Sequence, residues 1–338
     1  KRDCPKTLIA VTGCMVRQTG DSSNSKDALL RTDPIDLVFR IEDVARLPKL
    51  LESHFLDHDF SSFEQEFGSG SIENYFHVNP KVENNVQVSV PIMQGCDKFC
   101  TYCIVPYTRG RESSRPMDEI FAECEKHVLS GAKEITLLGQ NVNSYTDNGE
   151  KCFAKLLLKI DELHSKGLSR LRFTSAHPQD FTDDVIDALA SMKTSCPYIH
   201  LPVQHGSNRV LRAMNRNYTV EQYEAIIARI RKAIPTCTLS TDIIVGFPGE
   251  TEEEFQVLLD FAKRMKFDFS YTAIFSPRRN TPAARMEKDF VDGEEKKRRF
   301  HDFDKIVKKA SWEKREKSIG NTLQVLVEKA EELPTGKY

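Results

Sequence analysis

Six short apolar runs, separated by stretches with helical signals, recur between Val86 and Phe275. They are Val86–Ile92, Glu134–Gln140, Leu171–Ala176, Ile199–Gln204, Leu239–Phe247 and Phe269–Phe275. In the first, Val86, Val88, Val90 and Ile92 recur at every second position, the period of a strand with one buried face. Pro116 suits the first position of a helix whose apolar stripe is Ile120, Phe121, Cys124 and Val128. Thr219 with Gln222, and Thr251 with Glu254, form capping boxes ahead of two further stripes. Strands that alternate with helices are parallel, because a parallel neighbour is reached only by a crossover. The expected fold class is therefore α/β: a partial (β/α) barrel of six units, two short of the closed form. Pro91 cannot donate to a ladder, which puts the first strand at a sheet edge.

Outside this region the signals are weaker. Asp36–Leu56 reads as a strand end and a helix, Phe55–Asn85 as an acidic linker, about Glu294 to Ser318 as one charged helix, and Asn321–Glu328 as the start of a new strand. The opening Thr7–Cys14 reads like the middle of a folded element, so both ends of the 338 residues read as cut. No apolar run nears the 18 or so residues of a membrane-spanning helix, so none is expected. The 50 acids and 48 bases nearly balance, yet residues 33–85 hold eleven acids against four bases and residues 293–320 hold ten bases against six acids. The basic run reads either as a solvated helix face or as a surface that tracks phosphates.

Nine cysteines are too sparse and too uneven for a secreted disulfide scaffold. Three of them, Cys96, Cys100 and Cys103, crowd into a C-x3-C-x2-C segment just past the first strand, at the end of the barrel where loops carry chemistry. No fourth cysteine stands nearby, whereas structural zinc takes four protein ligands. Three thiolates on a four-iron cluster leave one iron open to chelate a small molecule and pass it an electron. A zinc knuckle borrowing a distant His, and core cysteines that ligate nothing, stand as the competing readings.

With this motif at the mouth of a six-unit barrel, the sequence resembles the radical S-adenosylmethionine (SAM) superfamily. Cys103-Ile-Val-Pro-Tyr-Thr-Arg-Gly-Arg-Glu112, Leu137-Leu-Gly-Gln-Asn-Val-Asn-Ser-Tyr145, His200-Leu-Pro-Val-Gln204 and Thr241-Asp-Ile-Ile-Val-Gly-Phe-Pro-Gly-Glu250 resemble its methylthiotransferase family. Leu-Leu-Gly-Gln-Asn-Val-Asn is most similar to the MiaB type, which acts on isopentenyladenosine next to the tRNA anticodon. The resemblance implies a transferase that places a methylthio group on carbon-2 of that base. It implies one SAM to methylate sulfur and another to yield the 5′-deoxyadenosyl radical that removes the carbon-2 hydrogen. Sister types acting on threonylcarbamoyl-adenosine or on a ribosomal protein, and a non-catalytic iron–sulfur or RNA-binding fragment, remain as alternatives.

By the same resemblance, Cys96, Cys100 and Cys103 hold the catalytic 4Fe-4S cluster, and Tyr102 lines the SAM adenine. Gln140, Asn141, Ser175, Gln204 and Asp242 sit at or near strand ends as candidate SAM contacts, Asp242 toward a ribose hydroxyl. His177, which also follows the third strand, is a further candidate, and for each of these a structural hydrogen bond is the competing reading. Family members carry a second 4Fe-4S cluster on three N-terminal cysteines. Val11-Thr-Gly-Cys14-Met matches the turn of one, Cys4 matches none, and the other two would lie upstream of Lys1. His205 departs from the family, which usually has Ser there. Cys124 reads as core, and Cys152, Cys196 and Cys237 lack partner spacing. Arg109, Arg111 and Arg115 leave the cluster loop together and are candidates to meet RNA phosphate. The domain expectation is the tail of an N-terminal domain plus linker over 1–85, a radical SAM core over 86–318, and the start of a TRAM module over 319–338. The implied partners are tRNA bearing isopentenyladenosine and an electron donor such as a flavodoxin or ferredoxin, with a monomer working in the cytoplasm.

Overall fold

The computed structural model describes residues 7–13, 16, 35–54 and 86–328. The 55–85 linker, Cys4, Cys14 and residues 329–338 lie outside the described residues. Near the N-terminus, β1 (Ala10–Val11) pairs in parallel with β2 (Leu37–Val38), which leads into α1 (Leu47–His54). Then follow β3 (Gln87–Pro91), β4 (Met93–Gln94), α2 (Val105–Thr108), β5 (Ser113–Ser114), α3 (Met117–Leu129), β6 (Glu134–Leu138), β7 (Thr146–Asp147), β8 (Glu150–Lys151) and α4 (Phe153–Asp161). The second half comprises β9 (Arg170–Phe173), α5 (Asp183–Ser191), β10 (Tyr198–His200), α6 (Asn208–Ala213), α7 (Val220–Ala233), β11 (Thr238–Val245), α8 (Glu252–Met265), β12 (Phe269–Ile274) and α9 (Gly293–Glu316).

All six expected strands form, and every pairing among them is parallel. β3, β6 and β9 make one three-stranded sheet, and β10, β11 and β12 another. The two halves join where the Leu171 amide donates to the Thr194 carbonyl at 2.7 Å and Cys196 donates back to Leu171 at 3.4 Å. The strands thus run in chain order across one curved wall. β3 and β12 are its two edges and do not pair among the described residues, so the barrel is partial. Pro91 lies on edge strand β3, with β6 its only neighbour in that sheet. The predicted edge position holds because the missing amide is needed only on the unpaired side.

Helices cover the outer face, and one continuous apolar core fills the space between. Val90, Ile135, Leu137, Ile243 and Val245 from the strands meet Ile120, Leu156, Ile227, Phe255 and Phe261 from the helices, all of them fully or almost fully buried. Cys124 is part of this core, as its stripe predicts. Both capping boxes form: Thr219 Oγ1 accepts from the Gln222 amide while Gln222 returns the bond at 2.9 Å, and Thr251 and Glu254 repeat the arrangement. Each cap contributes on the order of 1 kcal/mol and sets where its helix begins.

Two local expectations need correction. Pro116 caps α3 from outside, with ψ 137°, and the helix begins at Met117. Residues 321–328 form no strand: Leu323, Val325 and Val327 are each about 70% exposed, and no second strand among the described residues offers them a ladder. Period-two patterning alone does not hold an extended segment without a partner.

Candidate functional site

The cysteine loop is pinned at its base, its side and its tip. At the base β4 pairs antiparallel with β5, Met93 with Ser114 and Gln94 with Ser113. Gly95 then takes φ +80°, and a Cβ there would sit 2.0 Å from the Arg111 carbonyl oxygen. The Gly95 amide donates to Gln140 Oε1 at 2.7 Å, and the Cys96 amide to the Gly110 carbonyl at 3.2 Å. Asp97 and Glu112 exchange backbone-to-carboxylate bonds across the loop. At the tip Asn215 Nδ2 donates to the carbonyls of Lys98 and Phe99, and Thr101 donates to the carbonyls of Ala213 and Met214. Gln140 just past β6 and residues 213–215 at the end of α6 thus help hold the loop, although they are far from it in sequence.

The loop borders a cavity of about 570 Å³ at the mouth of the sheet, within the usual range of small-molecule sites. Cys96, Cys100, Cys103 and Tyr102 line it from the loop, and Gln140, Ser175, Gln204 and Asp242 from four different strands or strand ends. Ser175 at φ +61° and Gln204 at φ +72° both occupy the left-handed region, a strain of roughly 1–3 kcal/mol each that such sites often store. Phe173, Tyr198, His200 and Tyr271 give the cavity an aromatic side. Asp242 accepts from His200 Nε2 at 3.2 Å, and His200 Nδ1 meets Ser240 at 2.8 Å. An aspartate within an apolar strand needs a polar partner, and His200 supplies one within the protein; the carboxylate is about one-third exposed.

Among the candidate SAM contacts, Asn141 is set back from the cavity lining. It is buried, and its Nδ2 donates to Asp180 Oδ2 at 3.0 Å and Glu112 Oε1 at 3.1 Å. Asp180 also takes Lys98 at 2.6 Å and Lys151 at 2.9 Å. Burial works to raise the Asp180 carboxyl, but these donors outweigh it and hold it down at about 2.

Two polar groups of the site, Arg216 and Lys98, escape sequence reasoning, while His177 is among the strand-end candidates. Arg216 is buried between the cavity and α6, with Nη1 3.5 Å from Cys100 Sγ, Nη2 donating to the Pro202 carbonyl at 2.7 Å, and Nε to Tyr218 at 2.8 Å. It carries no motif, and its contact with Cys100 spans 116 positions. Lys98 lies inside the cysteine motif but is tied to Asp180. The candidate His177 is held by a reciprocal pair of 2.8 Å bonds between its backbone and Asn143, and its Nδ1 accepts from the Gln179 amide. Its Nε2 has no hydrogen-bond partner among the described residues, and the residue borders the cavity. Burial, with Arg216 and Lys98 adding to it, pushes the imidazole down to about 2, so it stays neutral with its proton on Nε2.

The remaining candidates fall elsewhere. His205 is wholly buried and does not line the cavity; its Nδ1 accepts from Ser207, and Nε2 faces Glu250 at 3.6 Å. Arg115 is buried against Glu123 and the Pro91 carbonyl, and Arg111 pairs with Asp97, so two of the three loop arginines are already engaged. Cys152 is buried, while Cys196 and Cys237 are partly buried away from the cavity.

The donor set fits a thiolate-bound iron cluster. Three soft thiols share one cavity wall. Burial pushes Cys96 up to about 12, and Glu112 and the other two thiols oppose its ionisation further. A Cys96 thiolate is therefore disfavoured unless a cation lies close to it, which a metal centre would supply. Among the described residues no three His, Cys, Asp or Glu side chains close on a single-ion site.

The profile of the radical SAM superfamily matches residues 90–262, slightly over half of the chain. Solved structures agree at the level of fold. A radical S-adenosylmethionine methyltransferase from Kitasatospora setae has a TM-score of 0.51 at 18% identity, covering 66% of this chain and 42% of that one. Coproporphyrinogen III oxidase from Escherichia coli has a TM-score of 0.50 at 16% identity, covering 68% and 53%. The chain belongs to the radical SAM superfamily. Within it, the chain is 43% identical over 330 residues to the tRNA-2-methylthio-N(6)-dimethylallyladenosine synthase of Carboxydothermus hydrogenoformans, covering 97% of this chain and 73% of that one. It is 41% identical to the Psychrobacter sp. synthase of the same name, covering 97% and 67%. Its family is that of these synthases. No helix among the described residues is long and apolar enough to cross a membrane.

Proposed function

We propose that this chain is a radical SAM methylthiotransferase adding a methylthio group to carbon-2 of isopentenyladenosine beside the tRNA anticodon. The observation that carries the reading is the convergence of Cys96, Cys100 and Cys103 on one cavity with side chains from successive strand ends, in a chain 41–43% identical to synthases named for this product. Cys96, Cys100 and Cys103 would hold a 4Fe-4S cluster, and Cys14 one corner of a second. Together with SAM the cluster supplies a one-electron route to a carbon–hydrogen bond that no side-chain base opens at neutral pH.

The protein's own residues bind, orient and exclude water. Gln140 fixes the cysteine loop through the Gly95 amide, so a ligand at the open iron would meet a rigid wall. His177 offers a neutral N–H donor to an uncharged or anionic ligand atom without placing a second cation beside Arg216. Tyr102 would flank the adenine, and Gln204, Ser175 and Asp242 would take polar groups of SAM. Phe173, Tyr198 and Tyr271 give a base an aromatic wall that keeps water away from a radical step. An electron donor such as a flavodoxin or ferredoxin, a monomeric state, a cytoplasmic setting and the division at 1–85, 86–318 and 319–338 complete the reading. Under anaerobic reconstitution, Cys96→Ala, Cys100→Ala and Cys103→Ala should each abolish 5′-deoxyadenosine formation from SAM. Formation retained in all three would overturn it.

A further inference from the structure

Most of the basic run of the C-terminal helix is paired within the protein, although Lys296, Lys309, Arg315 and Lys317 make no ion pair among the described residues. Lys297 pairs with Glu294, Arg298 with Glu252, Glu295 and Asp302, Arg299 with Glu250 and Glu295, Lys308 with Asp304, and Lys314 with Asp268. A guanidinium already held by carboxylates reaches a phosphate only by giving up those bonds. For these paired residues a solvated, self-paired face is the simpler reading of the run.

The segment after β12 is different. Phe275 is 5% exposed and Thr281 and Ala283 are 0% exposed, while Ser276 to Asn280 arch through solvent between these anchors. Thr281 closes the arch by donating its amide and hydroxyl to the Arg278 carbonyl, at 3.2 and 2.7 Å, and Asn280 takes φ +69°. The Ala283 amide donates to the Thr101 carbonyl at 2.9 Å, fastening the arch to the cysteine loop itself. Phe275 and Ala283 also share an apolar cluster against which Tyr102 packs. On this fixed support Arg278 and Arg279, and Arg285 beyond the second anchor, are exposed. No ion pair engages any of the three among the described residues, although the acids Glu287 and Asp289 follow closely in the chain.

We propose that this arch, fastened to the cysteine loop that borders the cavity, binds the phosphate backbone of the tRNA, with Arg278 and Arg279 as its two principal ligands. The inference deepens the functional reading above and rests on it. A base that enters the cavity brings its flanking phosphates to the rim, and guanidinium forks match phosphate oxygens in pairs. Because both feet of the arch are buried, holding the two side chains there orders little additional backbone.

The test uses the whole chain and an anticodon stem-loop RNA bearing isopentenyladenosine, with binding measured from 50 to 200 mM KCl. The double variant R278A/R279A should reduce the slope of log affinity against log salt by about 1.5 and weaken low-salt binding roughly tenfold. RNA-free formation of 5′-deoxyadenosine should stay at the wild-type rate, which also shows that the variant folds. The double variant K297A/K308A, which removes paired bases, should leave the slope unchanged. An unchanged slope in R278A/R279A, or an equal drop in K297A/K308A, overturns this inference alone. A wild-type chain without affinity for the stem-loop would overturn the functional reading itself.

Discussion

Arg216 Nη1 lies 3.5 Å from Cys100 Sγ, so a buried guanidinium stands directly behind one corner of the three-thiol set. Its remaining nitrogens are committed to Pro202 and Tyr218, which leaves that contact little freedom to move. A fixed positive charge beside a thiolate favours whichever state of a bound cluster carries more negative charge.

Removing that charge should make a reconstituted cluster harder to reduce. In Arg216→Gln, a spectroelectrochemical titration should give a more negative midpoint potential, with iron content near that of wild type. SAM cleavage should fall at least tenfold. A potential equal to wild type would show that Arg216 serves packing alone.

The Gly95 turn should tolerate no side chain. Its φ of +80° disfavours any L residue, and an added Cβ meets the Arg111 carbonyl carbon at 2.5 Å as well as its oxygen. Gly95→Ala should lower unfolding stability by about 2–3 kcal/mol and cut the iron retained after reconstitution. Gly131→Ala makes a comparison: φ is +108°, yet a Cβ there meets nothing within 4 Å. Backbone strain alone predicts a loss of about 1 kcal/mol. Equal losses in urea titrations of the two variants would remove the steric argument for Gly95.

His177 should make the fold acid-sensitive below neutrality. Its pKa is pushed from 6.5 to about 2 by burial, then by Arg216 and Lys98, so the unfolded chain binds a proton there that the folded chain refuses. The stability that follows from keeping this group neutral is complete above about pH 6.5 and declines as pH falls below it. Thermal or urea unfolding of wild type should show this group costing on the order of 1–2 kcal/mol between pH 7 and pH 5. In His177→Gln that component should vanish. An unchanged pH slope in the variant would place the sensitivity elsewhere.

Much of the framework is legible in the amino-acid sequence, for reasons that are local. The six strand positions follow from short-range alternation and punctuation, and the starts of α7 and α8 follow from side chains bonding three residues away. The cysteine motif was legible because its three donors are neighbours in the chain. Residues 321–328 show the limit of this reasoning, since their alternation was real but no second strand among the described residues met them.

Sequence alone therefore determined what short-range physics can determine: strand and helix identity, the caps, and the three-thiol motif at a strand end. Tertiary structure decided what depends on neighbours far along the chain. It decided that Asn141 serves Asp180 and Glu112, and that His205 sits beside a buried Glu250. It also decided which cations are already matched. Arg298 and Arg299 of α9 find Glu252 and Glu250 more than 45 positions earlier, whereas Arg278 and Arg279, on an arch fastened to Thr101, find no carboxylate among the described residues. The physical reason is that Coulomb interaction depends on distance in space, and a linear pattern of charges does not contain that distance.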